Sequence, residues 1–255
     1  MSLFRTEPDQ TWLFCMTHPD DEISICAFMR MVARNGGKIF VSWTHSNPVR
    51  EQEARSAMKL IGIPEQNLIF FNAPDGKVCE NLDALVPRFE SMMVKVQPDF
   101  VVCGAFEQGH IDHDSTNFIV NQTFAGTVLE VPLYNTYTRR VQTLNRFAGD
   151  PEGEILLLSN DDIRFKKNFA RQYPSQTIWK ILFWHQIYTT TLLRPARLYA
   201  TERLRVQTHK DWLKPNQSPA VASRVTQSEP WRRWTQCITE YQAKVPSLKE
   251  EIAIG

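Results

Sequence analysis

The sequence predicts an α/β fold, a Rossmann-like three-layer arrangement with a mostly parallel sheet and a C-terminal elaboration. Short, nearly continuous apolar runs recur through the first half of the chain, as strands buried on both faces of a sheet require. Segments of helical length separate these runs, joined by short turns, which is the alternation of a parallel sheet covered by helices. Clusters of charged side chains directly follow two of the runs, at the strand ends where open α/β sheets bind ligands.

The elements read in order. Residues 12–17 form the first strand, and 23–32 a helix ending near Asn35-Gly36-Gly37. Residues 38–44 are the second strand; Pro48 opens a helix that runs to Ile61 and closes on Gly62, with proline at its start and glycine past its end. Residues 67–71 are the third strand, Asp75-Gly76 its turn, and 82–96 a helix stopped ahead of Pro98. Residues 100–103 are the fourth strand, 114–124 a helix, and 128–134 the fifth strand. Beyond Asn135 the pattern loosens. Residues 137–148 and 155–158 read as a small antiparallel excursion, Asp161-Asp162 as the cap of a helix to Gln172, 214–219 as a loop, and 230–243 as a terminal helix.

The 255 residues contain 42% hydrophobic and 22% charged positions, ordinary for a soluble globule. The expectation is one domain over 1–255, with a catalytic core over about 11–135 and a variable elaboration over about 136–255. A formal charge of +1 offers no electrostatic footprint for nucleic acid or an anionic membrane. The five cysteines are scattered and form no CxxC, so neither a disulfide framework nor a cysteine zinc site is suggested. Residues 1–7 lack the apolar core of a signal peptide, and the apolar stretch 178–193 is too short to span a bilayer. A cytoplasmic setting is expected, and aromatic residues in the C-terminal third suit a homo-oligomer.

Two clusters carry the chemistry. His18-Pro19-Asp20-Asp21-Glu22 follows the first strand, and Gly109-His110-Ile111-Asp112-His113 the fourth. His18 and Asp21 are three apart, as are His110 and His113, a spacing that projects both members to one side of a helical turn. Two imidazoles and one carboxylate make a three-ligand set for catalytic zinc that leaves a position for water; the set assigned is His18, Asp21 and His113. Such an ion makes water a nucleophile near neutral pH. Asp20 is then the candidate general base and His110 the acid or oxyanion stabiliser. Asp112 holds the His110 tautomer or orients a ligand histidine. His45 follows the second strand at the same rim, where it lines the pocket or is a surface residue. Taken singly, Asp-Asp-Glu after a strand is a solvated helix start favoured by the dipole; two clusters at equivalent strand ends argue for a site.

These residues resemble the PIG-L/LmbE-like family of zinc-dependent de-N-acetylases. The resemblance rests on His18-Pro19-Asp20-Asp21-Glu22 and His110-Ile111-Asp112-His113, supported by Arg50-Glu51-Gln52-Glu53-Ala54, Ala57, Leu60-Ile61-Gly62, Asp75-Gly76 and Tyr173-Pro174-Ser175-Gln176. It implies zinc, or ferrous iron, on His18, Asp21 and His113, with Asp20 as base and His110 as acid, and an N-acylated amino sugar or glycoconjugate as substrate. It also makes Arg50 and Asp75 substrate contacts. The sequence departs from the family at Thr44-His45-Ser46-Asn47-Pro48, where a glycine-rich acidic turn is common, and at Gln108, where some members carry tyrosine. Both positions, His45 and Gln108, are expected to border the substrate. Two rivals stand beside this reading: an Asp-His phosphohydrolase built on Asp112-His113, and a catalytically degenerate metal-binding module that recognises sugar.

Overall fold

The computed structural model describes residues 2–133, 137, 144–148, 153–178, 180, 183, 187, 190–191 and 198–254, with the backbone alone over 245–254. The expected alternation is present: β1 (Thr11–Met16), α1 (Cys26–Arg34), β2 (Lys38–His45), α2 (Pro48–Ile61), β3 (Leu68–Ala73), α3 (Leu82–Val96), β4 (Phe100–Gly104), α4 (Ile111–Thr123) and β5 (Val128–Val131). After it come β6 (Glu154–Leu157), α5 (Asn160–Ala170), β7 (Thr201–Val206), α6 (Pro219–Val225) and α7 (Glu229–Ile254). The sheet order is β3-β2-β1-β4-β5-β7-β6. The first five strands of that order are parallel, and β7 runs antiparallel to both β5 and β6.

The strand pleat divides the core into two layers. Leu13 and Cys15 of β1 face one side with Phe89 of α3, Phe118 of α4 and Trp234 of α7. Trp12, Phe14 and Met16 face the other with Phe28 of α1, Met58 of α2 and Phe169 of α5. Trp212, Trp231 and Trp234 are buried in the first layer, as core rather than as platforms for a sugar; Trp179 and Trp184 lie outside the described residues.

Several boundaries differ from expectation for local reasons. The backbone turns through a short 3-10 helix at Asp21–Ser24 before α1 begins. At the other cluster α4 starts at Ile111, so Asp112 and His113 lie in its first turn, with the His110 ring as the cap accepting the Asp112 N–H. The helix expected from Asp161-Asp162 is capped instead by Ser159, whose hydroxyl accepts from the Asp162 N–H. No strand forms at Tyr137 or over 144–148, and 138–143 lie outside the described residues. The antiparallel partner of β6 is β7, a strand hidden in the sequence because Glu202 and Arg205 interrupt its apolar pattern. Both charges are buried and paired, Glu202 with Lys166 at 2.8 Å and Arg205 with Glu130 at 2.6 Å.

Glu202 also accounts for a helix start without a local cap. Its carboxylate accepts the Ala27 and Phe28 N–H groups at 2.9 and 2.8 Å, so β7 supplies the negative charge that the first turn of α1 favours. Among the described residues no helix is long and apolar enough to cross a membrane. Glu202→Gln leaves Lys166 buried without its counter-charge and is expected to lower stability by about 3–5 kcal/mol, read from chemical-denaturation midpoints. A loss well under 1 kcal/mol would mean that this pair does not hold β7 to α1.

Candidate active site

β1 and β4 are adjacent, with Cys15 opposite Cys103. The helices that follow them pack on opposite faces of the sheet, α1 on the Phe14 side and α4 on the Cys15 side. The crevice between the two strand ends is the topological switch point of the sheet. Both histidine clusters open into it.

Asp21 fixes the first cluster. Its Oδ2 accepts the N–H groups of Thr17 at 3.1 Å and His18 at 2.8 Å. Around it, His18 Nδ1 lies 3.1 Å from His113 Nε2 and 3.8 Å from Asp21 Oδ2. His113 Nε2 is 3.4 Å from Asp21 Oδ1. A tetrahedral ion with bonds of about 2.0–2.1 Å spaces its ligands about 3.3 Å apart, which the His18–His113 and His113–Asp21 separations in this triangle approach, while Asp21 meets the two rings through different carboxylate oxygens. Among the described residues, the groups that bring one donor atom from each residue within 4.8 Å of one another are His18 with His110 and His113, and His18 with Asp75 and Asp112. His18 Nε2 is buried without a hydrogen-bond partner, 3.5 Å from Asp75 and 3.7 Å from Asp112, both long for a direct hydrogen bond.

The electrostatics favour a cation at this corner. Burial opposes charge on His18, yet Asp112, Asp75 and Asp21 around it push its pKa up to about 10. Burial also opposes charge on Asp21, but His113 and His18 hold its carboxyl well below the usual range. Such a basin suits a divalent ion, on which the imidazoles ligate in neutral form and the carboxylate ionised.

Asp20 adjoins the triangle in a strained backbone conformation, φ 123°, in the left-handed region that favours glycine. Two contacts hold it there: its N–H donates to Glu22 Oε2 at 3.1 Å, and Arg50 donates to its Oδ1 at 2.8 Å and to the Pro19 carbonyl at 3.0 Å. Burial, with Asp21 beside it, raises the Asp20 carboxyl to about 8, against the pull of Arg50. Arg50 itself is delivered by the first turn of α2, where the Asn47 side chain accepts its N–H and Pro48 sets the helix start. A cavity of ≈ 120 Å³ opens beside Asp20 and Asp21 rather than beside the imidazoles, walled by Ile23, Leu133, Leu144 and Ile178.

The opposite wall is the start of α4. His110 Nδ1 accepts the Asp112 N–H at 3.2 Å, which leaves the ring proton on Nε2 in the neutral form. Burial and the neighbouring His113 lower the His110 pKa to about 4. Asp112 does not hold the His110 tautomer with its carboxylate. Its oxygens accept the Gly76 and Val78 N–H groups at 2.6 and 3.0 Å and face His18, the orienting alternative. Asp75 projects from the same loop with its side chain 64% exposed. His45 is buried, its Nδ1 2.7 Å from the Ala73 carbonyl oxygen and its ring 5.5 Å from His18; bonded so, it presents Nε2 as an acceptor.

Gln108 departs from its expected place. It is fully buried, its Oε1 accepts the Asn216 N–H at 2.9 Å, and it offers substrate no surface. It joins the loop at Asn216 to the turn before α4. That turn is pinned further by Asp114, which accepts the Glu107 and Gln108 N–H groups at 3.2 and 3.1 Å and the Tyr137 hydroxyl. Supporting roles that the sequence left unassigned fall to Glu22 and Glu53. Glu22 accepts from Trp43 Nε1 at 3.2 Å and from the Tyr173 hydroxyl; Glu53 accepts from the N–H and hydroxyl of Ser175 at 2.9 and 2.7 Å. The signal was the late Tyr173-Pro174-Ser175-Gln176 segment, whose tyrosine and serine are these donors.

Known proteins share this fold. Residues 13–124 match the family model described as PIG-L, GlcNAc-PI de-N-acetylase. Among solved structures, a deacetylase of the teicoplanin biosynthesis pathway is similar at TM-score 0.55 and 13% identity, over 79% of this chain and 100% of that one. The conserved protein TT1542 from Thermus thermophilus is similar at 0.56 and 13%, over 79% and 96%. GalB, the 4-carboxy-2-hydroxymuconate hydratase of Pseudomonas putida, is similar at 0.52 and 12%, over 79% and 98%. At these identities the likeness is one of fold. No curated protein matches the chain.

The buried acids behind α4 give a pH dependence. Burial raises Glu107 to about 8 and Asp114 to about 7. The folded chain therefore holds protons that unfolded carboxyls, with pKa values of about 4, have released, and stability falls as pH rises through this window. The melting temperature is expected to drop between about pH 6.5 and about pH 8, and Glu107→Gln to flatten that slope. A melting temperature that rises over the same interval would contradict this assignment.

Proposed function

We propose that this protein is a metal-dependent hydrolase that removes an N-acyl group, with N-acetyl the first choice, from an amino sugar or sugar conjugate. The observation that carries the reading is the donor triangle of His18, Asp21 and His113 with a strained, Arg50-held Asp20 on one side and His110 on the other. Zinc or ferrous iron would be held by those three side chains. When bound, the ion supplies Lewis acidity and makes water acidic enough to deprotonate near neutral pH.

The remaining chemistry belongs to the chain. Asp20 takes the proton of the attacking water. Its bond to Arg50 occupies Oδ1 and leaves Oδ2 for that proton, while a raised pKa makes the carboxylate a stronger base. Once protonated, Asp20 can return the proton to the departing amine. His110 is bound through Nδ1, so its Nε2–H is the donor available to the oxygen of the amide as charge develops there. The low pKa of that ring keeps it a neutral donor, so stabilising the oxyanion suits it better than serving as an imidazolium acid. The apolar cavity beside Asp20 accepts the acyl group, and exposed Asp75, 3.5 Å from His18 Nε2, is offered to a sugar hydroxyl.

Fold alone leaves the reaction open, since the similar structures include both a deacetylase and a hydratase. The base and the oxyanion donor on either side of the triangle are what favour hydrolysis over recognition without turnover. An Asp-His phosphohydrolase is disfavoured because the candidate donors come from two strand ends of a parallel sheet rather than from a helical bundle.

The test is a panel of N-acetylated amino sugars and conjugates, incubated with zinc- or iron-loaded protein and assayed for acetate and free amine in equal amounts. Asp20→Asn is expected to retain the ion and lose about 10²–10⁴-fold in kcat. Full activity in that variant, or sugar binding with no acetate from any substrate by the wild type, would overturn the proposal.

A further inference from the structure

A second reactive constellation lies behind the loop that carries Asp75. Cys79, in the 3-10 turn Val78–Asn81, and Cys237, on α7, are 158 residues apart in sequence, and their sulfurs lie 3.1 Å apart. Cys79 is only 2% exposed, while Cys237 is half-buried. A polar cleft of ≈ 270 Å³ is lined by both cysteines together with Asp83, Arg233, Glu240 and Lys244. The other three cysteines, Cys15, Cys26 and Cys103, are fully buried in the sheet and α1 and see no solvent.

The sulfur pair sits on the structural link between α7 and the site. Arg233, one turn before Cys237, donates to the Gly76 carbonyl at 2.6 Å and to Glu80 at 2.9 Å through Nε. Gly76 and Val78 in turn hold the Asp112 carboxylate. The stretch of chain that orients Asp112 and presents Asp75 is thus flanked by two thiols already within reach of each other. We propose that Cys79 and Cys237 are a redox modification site, closing to a reversible disulfide that staples α7 to the loop over 75–81.

The oxidant is a peroxide. Cys237, held below the ordinary thiol pKa by its hydrogen bond with Cys79 although burial opposes this, is the more accessible sulfur and reacts as thiolate. It attacks a peroxide oxygen; the S–O bond forms as the O–O bond breaks, and the leaving oxygen departs as water or hydroxide. Cys79 sulfur then attacks the Cys237 sulfenic sulfur. The S–S bond forms, the S–O bond breaks, and the hydroxide released takes the Cys79 proton as water. Two thiols are oxidised and one hydrogen peroxide is reduced to two waters. A dithiol reverses the step by exchange.

The disulfide forms independently of the proposed hydrolysis, and its readout is chemical. The full-length protein is treated with mild hydrogen peroxide, quenched, and its free thiols counted in denaturant with peptide mapping. The five free thiols are expected to fall to three, with Cys79 linked to Cys237 and all five recovered by dithiothreitol. The oxidised protein is also expected to melt several degrees higher, because the bridge closes a long loop of the unfolded chain. Cys237→Ser is expected to keep its four thiols through the same treatment and to show no shift in melting. Five intact thiols in the wild type, a bridge between other cysteines, or sulfinic acid in place of a bridge would overturn the proposal. An unchanged melting temperature of the bridged protein would overturn the staple.

Discussion

Asp21 is a carboxylate that water hardly reaches, and the functional end of the molecule is arranged around that charge. Its position at the end of β1 follows from the sheet: β1 lies between β2 and β4, so whatever leaves its carboxyl end enters a crevice walled by protein. A charge buried there needs donors and counter-charges. The Thr17 and His18 N–H groups supply the donors, and the His18 and His113 rings face its two oxygens. His18 is then drawn into contact with Asp75 and Asp112, and Asp112 is held by the Gly76 and Val78 N–H groups. From one unsolvated carboxylate the order extends across the ends of three strands, β1, β4 and β3.

The C-terminal elaboration completes the site by polar contacts to the core. Glu202 and Lys166 join β7 and α5 to the start of α1. The Tyr173 hydroxyl reaches Glu22, the residue that holds the Asp20 backbone in its strained turn. Ser175 binds Glu53 on α2, the helix whose first turn delivers Arg50. On the other wall, Asn216 meets Gln108 beside the turn that presents His110. The first half of the chain contributes the candidate donor atoms; the second half restrains the backbone on which they sit. Strain at Asp20 persists because these contacts over-determine it.

What the sequence made legible follows a simple physical division. Strands β1 to β4 and their helices were readable because each strand is apolar along its length and each helix is punctuated by Gly or Pro, as at Pro48 and Gly62. The pairing of β1 with β4 followed from connectivity rules, and with it the meeting of the His18 and His110 clusters. β7 was not readable, since Glu202 and Arg205 look like surface positions until Lys166 and Glu130 neutralise them. Gln108 was misplaced for a related reason: a polar side chain beside a candidate catalytic motif reads as substrate contact, whereas here it is buried and its Oε1 accepts a backbone N–H from a distant loop. The contact of Cys79 with Cys237, over a separation of 158 residues, leaves no spacing pattern to read.

The account turns on whether the triangle of His18, Asp21 and His113 holds an ion. The most direct measurement is elemental analysis of the purified protein and of His113→Ala prepared beside it, after equilibration with zinc or ferrous iron and removal of the excess. The account predicts about one ion per wild-type chain, at the stoichiometry of a three-ligand site with an open position, and loss of that ion in the variant with the fold retained. A wild-type protein that retains no ion, or a variant that retains it equally, would contradict the central claim.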